Sequence, residues 1–188
     1  LQAVSEKAVY MNASEKMNFA NQMDVLYQNA VNNGTMERAS REEIDLLIEQ
    51  VTFASGAERK ALVQKLSEYG VYVYETESDF AIAPLSDSGD VTLVKPTVVY
   101  EATDKTWTVT CGGNWLNTSW STVLAGNVGG LDGFGVGYTN ISGTYNSAVV
   151  RSSAYITDQD RSNTNRTTNR SDGDGSKGFG FRLQDRRV

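Results

Sequence analysis

Carboxylates, one thiol and three tryptophans are the side chains of this sequence best suited to chemistry, because its 188 residues include no histidine. Ser-His-Asp and Cys-His nucleophilic catalysis are excluded in their usual form, and so are imidazole metal sites. Paired carboxylates remain. Glu75, Glu77, Asp79, Glu101, Asp104 and Asp132 lie in the β-rich part of the chain. Two of them across a cleft could in principle hydrolyse a glycosidic bond by acid/base chemistry. None sits in a recognisable signature, however, and Glu77, Asp79 and Asp104 fall where the sequence predicts turns. The residues therefore favour a protein without catalytic residues over a carboxylate-based hydrolase.

Asp172-Gly173-Asp174-Gly175 has the Asp/Gly alternation of a calcium loop, with Asp158 and Asp160 nearby. Oxygen ligands on a flexible turn are what Ca2+ requires, so Asp172 and Asp174 are the candidate metal ligands and Ca2+ the candidate cofactor. No third alternating acid precedes the run and no glutamate follows at the bidentate position, which favours a solvated Asp-Gly turn. Arg161, Arg166 and Arg170 could meet phosphate, but no aromatic residue is interleaved between Asp158 and Gly178. Base stacking on that segment is not expected, and nucleic acid is not the expected partner. The aromatic residues at Trp115, Trp120 and Tyr138 lie in a polar, glycine-rich stretch. Rigid rings on such a stretch supply contact area at low entropic cost, so these three are the candidate binding residues. The competing reading is that the tryptophans cover glycine faces of neighbouring strands.

The elements that must position these groups change character along the chain. Residues from Ser14 to Asn33 place Phe19, Met23, Leu26 and Ala30 on one helical face. Ser40 and Glu43 form an S-x-x-E capping box ahead of the stripe Ile44, Leu47, Ile48 and Val51. Ser55 and Glu58 open a third helix through Leu62, Val63, Leu66 and Tyr69, closed by Gly70. Three such helices suit a small antiparallel bundle or a helical cap on a sheet.

From Val71 the period shortens to two. Val71–Glu75 and Phe80–Pro84 read as strands, and Ser86–Asp90 reads as a polar hinge. Pro96 confines its surroundings to a sheet edge or a strand start. Thr97–Trp115 reads as a hairpin turning at Thr103-Asp104-Lys105. After the turn, Trp107, Val109 and Cys111 alternate with Thr106, Thr108 and Thr110, which predicts an apolar row with Cys111 buried in it. Gly133–Tyr138 and Gly178–Leu183 set large apolar residues against glycine, and Trp107, Trp115 and Trp120 could cover the bare faces. Tyr145–Thr157 reads as a long strand and Asp158–Lys177 as a polar linker.

Helices segregated from strands define an α+β chain. It divides into a three-helix N-terminal region (1–70), short strands with a hinge (71–90), and an antiparallel β-sandwich or jelly-roll-like domain (91–188). The charge follows the same division. Residues 1–90 carry 15 acids and 7 bases, residues 91–188 carry 8 and 10, so the chain as a whole is unsuited to coating a phosphate backbone. A single cysteine rules out an internal disulfide framework, and no run is long enough for a membrane helix. The chain starts at Leu1 rather than Met, as it would after loss of a leader or after trimming. The second half is rich in Asn, Thr, Ser, Gly and Tyr, a composition of exported bacterial surfaces.

The expected function is an exported protein, secreted or at a bacterial cell surface, that binds a cell-surface polysaccharide or a protein partner. The alternatives are a carboxylate-based extracellular polysaccharide hydrolase and a β-structured pore-former, the latter because Thr144–Arg170 alternates as a membrane strand does. Six N-x-S/T triplets, at Asn12, Asn33, Asn117, Asn140, Asn165 and Asn169, are expected by chance in such a composition.

Overall fold

The computed structural model describes residues 13–75, 86–87, 91–115, 126–137, 152–157, 164–173 and 178–187. Three helices come first, α1 (Ala13–Asn32), α2 (Arg41–Phe53) and α3 (Gly56–Glu68), and strands follow, all paired antiparallel. The chain is thus of the α+β class. It forms two compact units, Leu1–Asn117 and Thr118–Val188.

In the first unit the helix ends follow local chemistry. Gly34 adopts φ +68° just beyond α1, the left-handed conformation that glycine takes without penalty. Ser40 caps α2 by accepting the Glu43 N–H at 3.1 Å. The Glu43 carboxylate instead accepts from the Tyr69 hydroxyl at 3.0 Å, so it ties α2 to the end of α3. Ser55 makes no side-chain cap. Gly70 stops α3 at φ +73° under the Tyr27 ring, where a Cβ would lie 2.8 Å from a ring carbon.

The sheet of this unit comprises β1 (Val71–Tyr74), β2 (Ser86–Asp87), β3 (Val91–Glu101) and β4 (Thr106–Trp115), with β1 and β2 on one edge of β3 and β4 on the other. β3 therefore runs straight through Pro96 in the middle of a sheet. The register slips between Val94 and Thr97, and this bulge absorbs the proline, which cannot donate to a ladder.

Helices pack on both faces of the sheet. Val71, Val73 and Val99 meet Ile48 and Val51 of α2 and Leu66 of α3. The opposite face carries Tyr72 and Tyr100, which meet Phe19, Ala20, Met23 and Tyr27 of α1. The three helices thus form neither one bundle nor one cap, with α1 on one face and the α2–α3 pair on the other. Ion pairs, one of them buried, pin the second layer. Arg59, 8% exposed, donates to Glu75 at 2.7 Å and to the Val51 carbonyl. Arg41 bridges Asp45 and the buried Glu101. The Thr97 hydroxyl is buried with no partner among the described residues.

In the second unit, β5 (Gly126–Gly137) pairs with β8 (Gly178–Arg187), and β6 (Ala154–Thr157) with β7 (Thr164–Thr167). Asp172 bridges to Gly180, so residues 171–173 form a short rung on β8. Residues 164–173 are therefore strand-paired in large part, where the sequence suggested a linker. Ala154, Phe181 and Leu183 form the buried cluster, flanked by Ile156 and Phe179. The described sheets are small and open. Among the described residues no helix is long and apolar enough to cross a membrane.

Candidate functional site

Strand β4 carries the first candidate surface. The register pairs Tyr100 with Trp107, Val98 with Val109 and Val91 with Trp115, which puts residues 107, 109, 111 and 115 on the α1 side of the sheet. Trp107 begins the row and is held, with its ring 4.9 Å from Tyr100 and 6.0 Å from Phe19, and with Lys16 Nζ 5.2 Å above it. The rest of the row is open. Val109 is 39% exposed, Trp115 is 38% exposed and Cys111 is exposed.

The buried Cys111 that the alternation predicts is therefore corrected. Desolvation nevertheless holds the thiol above its ordinary value of 9.0. The protonated thiol dominates at neutral pH, so an exposed group is present without a reactive one. The other face of β4, which carries the hydroxyl row, is the better covered. Thr108 donates to Glu101 at 3.3 Å, and a Cβ on Gly112 would lie 2.9 Å from the Phe53 ring.

The turn that starts β4 ties it to α1. Asp24 accepts from Lys105 Nζ at 2.6 Å and from the Tyr100 hydroxyl at 2.9 Å. The Lys105 bond chiefly holds the Asp24 carboxyl below its usual value. Burial first, and the Asp24 bond second, push Tyr100 up to about 12.

The second surface lies on β5 and β8. The pairs Phe134–Phe181 and Val136–Phe179 share one face of this ribbon, while Gly133, Gly135, Gly178, Gly180 and Arg182 share the other. On the apolar face Phe181 is buried, 3% exposed, while its partner Phe134 is 42% exposed. The glycine face is a bare backbone floor in an open depression of about 640 Å³, lined also by Ser171, Asp172 and Gly173. Trp107, one of the rings expected to cover such a face, is engaged within the first unit instead. No ring atom of a described residue is among the nearest neighbours of a Cβ placed on Gly133, Gly135 or Gly180.

Of the sequence candidates, Trp115 lies on the first surface and Asp172 beside the second; Trp120, Tyr138 and Asp174 lie outside the described residues. The Asp172 carboxylate accepts the Gly173 N–H at 3.0 Å, and Gly173 has φ +74°, the geometry of an Asp-Gly turn. No cluster of three acidic or thiol ligands occurs among the described residues. Glu75 and Glu101 are each bonded to an arginine, which gives them a structural task. Arg166 stacks 4.8 Å from Tyr155, and Arg170 donates to Ser152 at 2.8 Å and lies 5.7 Å from Phe179. Each arginine thus makes a contact across the strands, although Arg166 itself is exposed. Sequence reasoning missed the exposure of Val109 and Cys111. It also missed Arg182, whose only signal was its place one step beyond the alternating glycines. No known protein family, curated protein or solved structure matches the chain.

Proposed function

We propose that this is an exported, non-enzymatic binding protein that acts at a bacterial cell surface through the open row on β4. The supporting observation is the partition within that row, where Trp107 is packed by α1 while Val109, Cys111 and Trp115 are exposed on the same face. A strand that presents an aliphatic side chain and, further along the same face, an aromatic ring suits the apolar faces of sugar rings or a protein patch. The arginine partners of Glu75 and Glu101 support binding over carboxylate hydrolysis. In this reading the C-terminal strands complete an antiparallel sandwich or jelly-roll-like domain, and the polar Asn/Thr/Ser-rich surface suits an extracellular setting. The test is attachment of the purified chain to intact bacterial cells and to insoluble cell-wall polysaccharide. Trp115→Ala is expected to lower attachment about tenfold or more; unchanged attachment to every such target counts against the reading.

A further inference from the structure

Glycine in a strand interior weakens the strand, because it adds backbone entropy to the unfolded chain and offers no side chain to pack. Of the glycines at the floor of β5 and β8, Gly178 has φ +152°, and two others meet backbone that leaves no room for a side chain. A Cβ on Gly135 would lie 2.7 Å from the Phe179 carbonyl oxygen, and one on Gly173 would lie 2.5 Å from that of Gly178. Gly133 and Gly180 meet no such obstacle among the described residues. The nearest atom to a Cβ on Gly133 is 4.0 Å away, and the nearest to one on Gly180 are at 3.5 and 3.6 Å, which is ordinary contact. Among the described residues a side chain would fit at both, so packing within them does not account for their bareness.

The charges at the floor narrow the occupant. The Asp172–Gly180 bridge puts the Asp172 side chain on the glycine face, its Cβ 3.6 Å from the Cβ that Gly180 lacks. Arg182 follows two residues along β8 and returns to the same face, exposed. Neither takes part in an ion pair among the described residues. One acid and one base, one row apart on a flat floor, complement their own image. A two-fold axis in the plane of the floor, crossing the strands between the Gly180 and Arg182 rows, lays floor on floor. It brings Arg182 of each copy toward Asp172 of the other.

We propose that the glycine face of β5 and β8 is a docking surface for a second copy of this chain, closed by two reciprocal Arg182–Asp172 pairs. This surface is separate from the β4 row and goes beyond the function proposed for it. Where glycine faces glycine, away from the Asp172 and Arg182 side chains, the two ribbons approach more closely than the roughly 10 Å that separates ordinary stacked sheets. The patch is small against the roughly 1,000 Å² of total area that a stable interface clears, so association is weak and concentration-dependent.

Sedimentation equilibrium of the whole chain between about 10 µM and about 1 mM tests this. The wild type is expected to shift from monomer toward dimer across that range. Asp172→Arg and Arg182→Asp are each expected to weaken association at least tenfold, by placing like charges opposite each other. An equimolar mixture of the two variants is expected to associate again, because each then supplies the charge the other needs. Gly133→Leu, at a position with room for its Cβ, is expected to stay folded by circular dichroism and to weaken association as strongly. If Asp172→Arg fails to fold through loss of its bond to Gly173, then Arg182→Asp and Gly133→Leu decide the matter. A wild type that stays monomeric to 1 mM overturns the proposal. So do folded variants that associate as the wild type does, or a mixture of the two folded charge variants that stays monomeric.

Discussion

The sheet of β1–β4 and the ribbon of β5 and β8 use glycine in different ways. In the first, Gly112 and Gly113 are bare because their surroundings leave no room. A Cβ would lie 2.9 Å from the Phe53 ring at one and 2.5 Å from the Thr92 carbonyl oxygen at the other. In the second, Gly135 answers to its paired strand but Gly133 and Gly180 do not. Among the described residues the first sheet carries helices on both faces and is exposed along part of β4; the ribbon buries Phe181 on one face and sets glycines on the other. Packing density alone thus accounts for the glycines of the first region and only part of those of the second.

The largest effects should come from the packed cores on which both surfaces depend. Ile48 is 3% exposed between α2 and the sheet. Ile48→Asp buries a carboxylate there without a partner and is expected to cost roughly 4–5 kcal/mol. Phe181→Ala empties the smaller cluster of the second region and should cost about 3–5 kcal/mol. Urea unfolding followed by circular dichroism reads both, and a wild-type midpoint in either would show that the corresponding layer is not packed as described.

The glycine contrast is open to a smaller and sharper test. Gly135→Ala drives a methyl group against a backbone carbonyl and should cost about 1–3 kcal/mol. Gly133→Ala should be within about 0.5 kcal/mol of wild type, or slightly stabilising through the unfolded state. Equal costs at the two positions would erase the distinction.

The smallest effect is electrostatic and belongs to the first region. With its folded value raised to about 12, Tyr100 favours the folded state in full below its unfolded value near 10, and that contribution is lost as pH rises through 12. Tyr100→Phe should therefore flatten the loss of stability between about pH 10 and 12. An unchanged alkaline slope would place the titration elsewhere.

How much of this was legible in the sequence varies by element. The stripe of Ile44, Leu47, Ile48 and Val51 faces the core because a 3.6-residue period identifies a buried face without outside help. The period of two in β4 shows two faces but not which is better covered, since that depends on where a distant helix lies. Phe19 and Met23 place α1 over Trp107 and leave Val109 and Cys111 beyond its reach. The hydroxyl row meanwhile lies toward α2 because Thr108 and Gly112 contact Glu101 and Phe53. Segment 164–173 read as a linker because its strands lack apolar alternation. It is held by backbone pairing and by Arg166 and Arg170 on aromatic rings. Of the candidate site, Trp115 was legible as a ring in a polar stretch. Arg182 was not, since its significance depends on a bare floor that only strand pairing creates.

The two tryptophans of β4 offer the most direct test of the central claim, that one strand is packed at its start and open for recognition further along. Trp107→Ala and Trp115→Ala are compared for melting temperature and for attachment to bacterial cells, with attachment normalised to the folded fraction. The account expects Trp107→Ala to lower stability by about 3–5 kcal/mol while its folded fraction still attaches. It expects Trp115→Ala to melt within a few degrees of wild type, as an exposed substitution worth about 0.5–1 kcal/mol would, and to lose attachment. A Trp115→Ala protein that is strongly destabilised, or that attaches as well as wild type, would contradict it.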